Sequence, residues 1–495
     1  MNNDFFKYNI DFYNKTIENM TNYYKYCAKM FEKFWDIPKL STRDSIERKG
    51  IFPASGHDIY NYVARYNTSN LQIQAILKLD GKIDSYKLKQ ATRLSLEAEP
   101  ILKCRFIEDI VPYWKTIDNI GIVNFFSLEE TNDIDQSVSN FIQSSIDIDN
   151  DPMLNVKLMR SEQHDVIGLK INHACCDGAG ALEYIQLLSN IYNKIEQENG
   201  SYIPIPRIGG RRDQDRLFQE LGITNQDSVF SPGSDVSIPM WSFPWEPCGS
   251  NTSCMSIIRL PSGYIDEINK CSKDKGSTVN DFILTAYYRA MLQMGQPIYG
   301  LPLEIPVTVD LRRYLPDHKT QAIRNFSGSV STKLMMLLNE PFSETLQRVT
   351  AMMNEVKNGY PGLQSAIGLE RIEKISYQET LAYYQASPET KKTQKCCPLY
   401  CGDKCVPTLS NLGNISKSLI KFGSQTVIDG YLLPPVIRAP GILLMACTYN
   451  SVLTLAAGYF KGTASKKNID LLLNKIKKEL IDGCENLYVN DGDKM

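Results

Sequence analysis

One junction constrains this chain more than any other. A β-type run over residues 166–171 leads directly into Asn172-His173-Ala174-Cys175-Cys176-Asp177-Gly178. An amphipathic helix leads out, with Leu182, Ile185, Leu188, Tyr192 and Ile195 on its inward face. The change from β-type residues to a 3.6-residue period marks a strand-to-helix turn. Gly178 and Gly180 permit the sharp backbone such a turn needs. A loop held between two rigid elements can aim a side chain, so His173 and Asp177 stand where chemistry is well placed.

The surrounding pattern extends this unit. Residues 71–79 alternate as a strand, Asp80-Gly81-Lys82-Ile83-Asp84 is turn chemistry, and Ser85 is the expected cap of a helix reaching Glu97. Pro100 closes that helix and residues 101–106 are strand-like. A helix around 134–145 and strands over 153–159 and 164–173 follow. A second series repeats the order: strand 256–260, a turn at Ser262-Gly263, helix 265–272, helix 282–294 capped by Ser277-Thr278-Val279-Asn280-Asp281, and strand 303–309. The fold class expected is α/β (α+β), with two related halves of mixed sheet and helix in pseudo-twofold relation.

These elements divide the chain into an N-terminal half over 50–200, a crossing over 201–253 and a C-terminal half over 254–485. The crossing is rich in Gly, Pro and Ser and carries Arg207, Arg211, Arg212 and Arg216. A solvated linker is the expectation there, with an anion site as the alternative. Residues 1–40 stand apart. Phe6, Ile10, Tyr13, Ile17, Met20, Tyr24, Cys27, Phe31 and Phe34 are spaced alternately by four and three, an amphipathic helix suited to self-association or surface tethering.

Charge and composition remove several classes of function. Formal net charge is −2, so nothing global draws the chain to nucleic acid. No apolar run approaches the roughly 20 residues of a membrane span. Met1-Asn2-Asn3-Asp4 does not open a signal peptide, so a cytoplasmic location and free thiols are expected for the 13 cysteines.

His173 is one of four histidines. A histidine at a strand end is often structural, yet transfer of an acyl group to a hydroxyl or amine needs a proton acceptor. Imidazole, with a reference pKa of about 6.5, is available neutral at cellular pH. The segment resembles the His-His-x-x-x-Asp-Gly motif of the chloramphenicol acetyltransferase-like superfamily, which includes condensation domains and alcohol acyltransferases. Asn172 replaces the first histidine. Other stretches are similar in the same order: Leu79-Asp80-Gly81 with Pro100 to Phe106, Ser277 to Asp281, Ile305 to Arg312, Asn325-Phe326-Ser327-Gly328 and Ser410-Asn411-Leu412-Gly413.

That resemblance implies a tunnel between the halves, with an acyl thioester entering one side and an acceptor the other. It makes His173 the general base and pairs Asp177 with Arg312, with Arg313 as rival. It implies acyl-CoA as substrate, no cofactor, and a small alcohol, amine or lipid-like acceptor. Asn172, Ser327 and Asn411 are the candidate oxyanion donors, and Gly178 supports the turn. Two alternatives stand beside it: a condensation-type enzyme using carrier-bound acyl groups, and a non-catalytic binding or scaffold member of the same fold. Cys175 and Cys176 are expected as buried filler rather than nucleophiles. Cys396, Cys397, Cys401 and Cys405 are expected as free thiols, with a metal site as the alternative.

Overall fold

The structure, a computed structural model, describes residues 50–198, 200–207, 213–224, 240–246, 250, 252–295, 301–373, 375–385 and 404–492. The helix expected over 1–40, Arg211, Arg212, Cys396, Cys397 and Cys401 lie outside the described residues. The first half runs β1 (Ile51–Pro53), α1 (Gly56–Val63), β2 (Gln72–Leu79), α2 (Ser85–Ala98), β3 (Cys104–Ile107), β4 (Tyr113–Thr116), β5 (Phe126–Glu130), α3 (Ile134–Gln143), β6 (Leu154–Arg160), β7 (Asp165–Asn172) and α4 (Gly178–Gln197). The crossing holds α5 (Asp213–Glu220). The second half runs β8 (Trp241–Ser242), β9 (Ser253–Leu260), α6 (Tyr264–Asp274), α7 (Val279–Leu292), β10 (Pro302–Asp310), β11 (Ser327–Met335), α8 (Phe342–Lys357), α9 (Leu363–Ile372), α10 (Tyr377–Gln385), β12 (Lys404–Asn414), β13 (Lys421–Phe422), β14 (Gln425–Leu433), β15 (Gly441–Tyr449), β16 (Val452–Phe460) and α11 (Lys466–Gly492).

Two mixed sheets carry the halves. One has the order β13-β14-β2-β7-β6-β5, the other β11-β10-β12-β15-β16-β9 with β8 added on β12. A small β1-β4-β3 sheet stands beside them. In the first sheet β7 lies centrally, antiparallel to β2 with Gln72 opposite Asn172. Its Ile167, Leu169 and Ile171 share one core with Leu88 of α2 and Leu188 of α4. Val166 faces the other way, into a smaller cluster with Phe141 of α3. Both faces of β7 are thus covered, which explains its near-continuous burial and its β-type composition.

The second sheet packs on α7 and α11, where Phe282, Tyr287, Leu472 and Ile476 meet Leu455 and Ala457 of β16. One segment breaks the linear division of the chain. β14 belongs to the second half in sequence but pairs antiparallel with β2, Leu432 opposite Ala75. The first half's sheet is therefore completed by residues about 350 positions downstream, as the pairing of Leu433 with Gln74 shows.

Local chemistry accounts for the boundaries. Asp84, not Ser85, caps α2: its carboxylate accepts from the Tyr86 and Lys87 amides at 2.9 and 3.1 Å. Thr278 caps α7 in a reciprocal box with Asp281. Residues 101–103, expected as strand, belong to a tight 3₁₀ turn over Pro100–Lys103, and β3 starts only at Cys104. The crossing is not wholly a solvated linker. Leu217 and Phe218 of α5 are buried against Leu311, Leu315 and Phe326. Arg207 pairs with buried Glu99 at 3.1 Å, and Arg216 approaches Asp317 at 3.8 Å. Among the described residues, no helix is long and apolar enough to cross a membrane.

Candidate active site

His173 follows the last residue of β7. Its amide donates to Leu71 O at 2.7 Å, which extends the β2–β7 ladder by one residue before the chain turns. The imidazole is half-buried, and Nδ1 lies 3.2 Å from Asn325 Oδ1. The Asn325 amide group also donates to the carbonyls of His173 and Ala174, both at 2.9 Å. Burial lowers the pKa of His173, so the ring is neutral and able to accept a proton at neutral pH.

Asp177 caps α4. Its Oδ1 accepts from the Gly180 amide at 2.7 Å, and its Oδ2 accepts from the Phe326 amide at 2.7 Å. Oδ2 also meets Arg312 Nη1 at 3.1 Å, so the sequence-expected partner is the one brought alongside. Arg313, the rival, is exposed. Burial would raise the Asp177 carboxyl, but the Arg312 guanidinium and the two amides outweigh it and hold it below the usual range. Arg312 has three further partners. Its Nε donates to Glu183 at 2.8 Å, Nη1 also to Asp310 at 3.1 Å, and Nη2 to Arg324 O at 3.1 Å. Every charge on this buried pair has a directed partner, the condition under which burial is tolerable.

The other residues singled out in the sequence are placed as follows. Asn172 is fully buried, its Oδ1 accepts from the Ala174 amide at 2.9 Å, and its Nδ2 has no hydrogen-bond partner among the described residues. Ser327 opens β11, and its carbonyl meets His57 Nε2 at 2.9 Å. Asn411 on β12 donates to Asn280 at 3.2 Å and accepts from the Gly413 amide at 3.0 Å. Gly178 lies against Leu412, since a Cβ there would sit 2.8 Å from its Cδ2. Strand β12 therefore reaches the first turn of α4. Cys175 and Cys176 are fully buried. Cys175 Sγ donates to Asn172 O at 3.0 Å, and contact with Cys175 plus burial push the Cys176 thiol well up, leaving no thiolate to act as nucleophile. Cys405 is buried and not part of a disulfide, and no cluster of three or more metal-ligating side chains occurs among the described residues.

Four further residues belong to this site and were not singled out as such: Asn325, Arg324, Gln214 and His57. Loop residues Arg324, Asn325 and Phe326 contact the motif from the other half of the molecule, and Ser327 meets His57 beside it. Arg324 reaches Gln214 of α5 at 3.0 Å, and Gln214 reaches His57 Nδ1 at 2.6 Å. Burial pushes the pKa of His57 down to about 4. Asn325 sits in a tetrapeptide visible in the sequence, but a hydroxyl drew attention to Ser327, and nothing local marks an amide as the histidine's partner.

Residues 64–208, which span β2 to α4 and include His173, match the family model of the Condensation domain. No curated protein sequence matches the chain. Several solved structures resemble it. TRI3 trichothecene 15-O-acetyltransferase from Fusarium sporotrichioides is 12% identical, with 87% of this chain and 94% of that chain covered and a TM-score of 0.63. The first condensation domain of the CDA synthetase is 12% identical, covering 86% and 94%, with a TM-score of 0.59. SgcC5 from Streptomyces globisporus is 12% identical, covering 88% and 98%, with a TM-score of 0.60. Two mixed-sheet halves joined by a long crossing define the condensation-domain type of fold, shared with chloramphenicol acetyltransferase-like acyltransferases, and this chain has it.

Proposed function

We propose that this protein transfers an acyl group from a thioester to an alcohol or amine acceptor, with His173 as general base. One observation carries the reading: a neutral, half-buried imidazole stands on a loop pinned by Asn325 and anchored by the Asp177–Arg312 pair. In this mechanism Nε2 of His173 takes the acceptor's proton as its oxygen or nitrogen attacks the thioester carbonyl. The tetrahedral oxyanion collapses, the carbon–sulfur bond breaks, and His173 returns the proton to the departing thiolate. The products are an ester or amide and a free thiol. Asp177 touches no reacting atom in this scheme; it holds the loop and the start of α4.

Acyl-CoA is the donor we favour, and a small alcohol the acceptor. A carrier-bound donor is a second reading, supported by the match of residues 64–208 to the Condensation domain. The test is thiol release from a panel of acyl-CoAs mixed with alcohols and amines, with His173→Ala alongside. Acceptor-dependent release that falls by about 10²–10⁴ in the variant is expected. Release equal in both proteins would remove His173 as base. No release from any pair by folded protein would direct the search to carrier-bound donors or to a role in binding alone.

A further inference from the structure

We infer that Asn325 is a positioning residue that sets the tautomer of His173, holding the imidazole as Nδ1–H and leaving Nε2 bare. The consequence for rate rests on the acyl-transfer reading; the tautomer does not.

A carboxamide has one donating end and one accepting end. The Nδ2 of Asn325 lies 2.9 Å from the carbonyl oxygens of both His173 and Ala174, atoms that only accept. Both amide hydrogens are thereby used and the orientation is fixed. Oδ1 is left 3.2 Å from His173 Nδ1, and Oδ1 can only accept. Nδ1 must therefore carry the ring hydrogen. A neutral imidazole has a single N–H, so the lone pair is on Nε2.

A second histidine, His57 of α1, meets the same 324–327 loop and is held the opposite way. Arg324 Nη2 donates to Gln214 Oε1 at 3.0 Å, which turns Gln214 Nε2 toward His57 Nδ1 at 2.6 Å. His57 Nδ1 accepts, so Nε2 carries the hydrogen and donates to Ser327 O at 2.9 Å. Both nitrogens of His57 are occupied, and it cannot act as a base. Two amides, Asn325 from the second half and Gln214 from the crossing, thus assign opposite tautomers to two histidines. Only His173 keeps a free acceptor.

The test is nitrogen NMR on the full chain labelled with ¹⁵N-histidine, in which four histidines give a countable spectrum. His173→Ala and His57→Gln assign the two signals. In the unmodified protein His173 is expected to show its proton on Nδ1 and His57 on Nε2. In Asn325→Leu, His173 is expected to lose its exclusive Nδ1–H form while His57 is unchanged. Asn325→Asp, which keeps an acceptor oxygen, is expected to retain it. A proton on Nε2 of His173 in the unmodified protein overturns the inference, and that measurement stands even if Asn325→Leu fails to fold. An unchanged tautomer in Asn325→Leu also overturns it. In the thiol-release assay Asn325→Leu is expected to lower kcat by about 10²-fold with KM little changed. Correct tautomers with no acyl transfer from any donor would leave the role of Asn325 standing and remove the proposed reaction.

Discussion

Arg312 brings one positive charge into a space shared with three carboxylates, those of Asp177, Glu183 and Asp310. Both Asp177 and Arg312 are nearly inaccessible, at 4% and 3% of side-chain exposure. Removing one partner of such a pair strands the other charge in a poorly solvating interior. Arg312→Met is therefore expected to destabilise the fold by about 3–5 kcal/mol, read as a lower urea midpoint. His57 makes a second prediction at this scale. Its pKa falls from 6.5 to about 4 on folding, chiefly through burial. Between those values the unfolded chain binds a proton that the folded chain does not. The contribution is complete above pH 6.5 and is lost as pH falls toward about 4, an effect on the order of 3 kcal/mol. Urea unfolding at about pH 7 and about pH 5 is expected to show a clear drop in stability, and a shallower one in His57→Gln.

The elements around the site meet where backbone approaches backbone. A Cβ on Gly328, at the start of β11, would lie 2.1 Å from the carbonyl oxygen of Gly362, the residue that precedes α9. A carbonyl in a packed turn cannot step aside as a side-chain tip can. Gly328→Ala is expected to cost about 1–3 kcal/mol in thermal or urea unfolding and to lower activity by moving the 324–327 loop. Gly178→Ala is the contrast, because the atom it meets is the end of the flexible Leu412 side chain, and its loss of stability is expected to be smaller. At this scale the sequence is most readable where a signal is local. The β7–loop–α4 unit, the Thr278 cap and the apolar face of α4 follow from neighbouring residues. Helix α5 does not. Its few apolar residues lie in a Gly- and Pro-rich stretch, and their burial depends on Leu311, Phe326 and Leu363.

At the scale of the molecule, the halves are not separable units. β14 completes the first half's sheet, and Arg259 of β9 forms a two-pronged ion pair with Asp429 of β14, clamping the second sheet's edge to it. The chemistry is divided likewise, with His173 and Asp177 on one side and Asn325 and Arg312 on the other. A fragment of residues 50–207 would expose the edge of β2 and leave Asp177 unpaired. It is expected to show no cooperative unfolding transition by circular dichroism, whereas the full chain does. A cooperative transition in the fragment would show that β14 is dispensable to that sheet.

Reading the chain alone settled what short-range chemistry can settle: alternating strands, capped amphipathic helices, two halves, and a histidine and aspartate at one strand-to-helix turn. Periodicity records which face of an element is buried, and a cap or turn is written in residues three or four apart. Neither states what will meet that face. Asn325 lies 152 residues from His173, Gln214 lies 157 from His57, and Arg312 lies 135 from Asp177. Only the resemblance of ordered motifs suggested the last of these pairings. The placement of β14 beside β2, the docking of α5 and the amides that orient both histidines were decided by tertiary packing. Their energy comes from contacts between segments distant in the chain, and no local pattern carries that information.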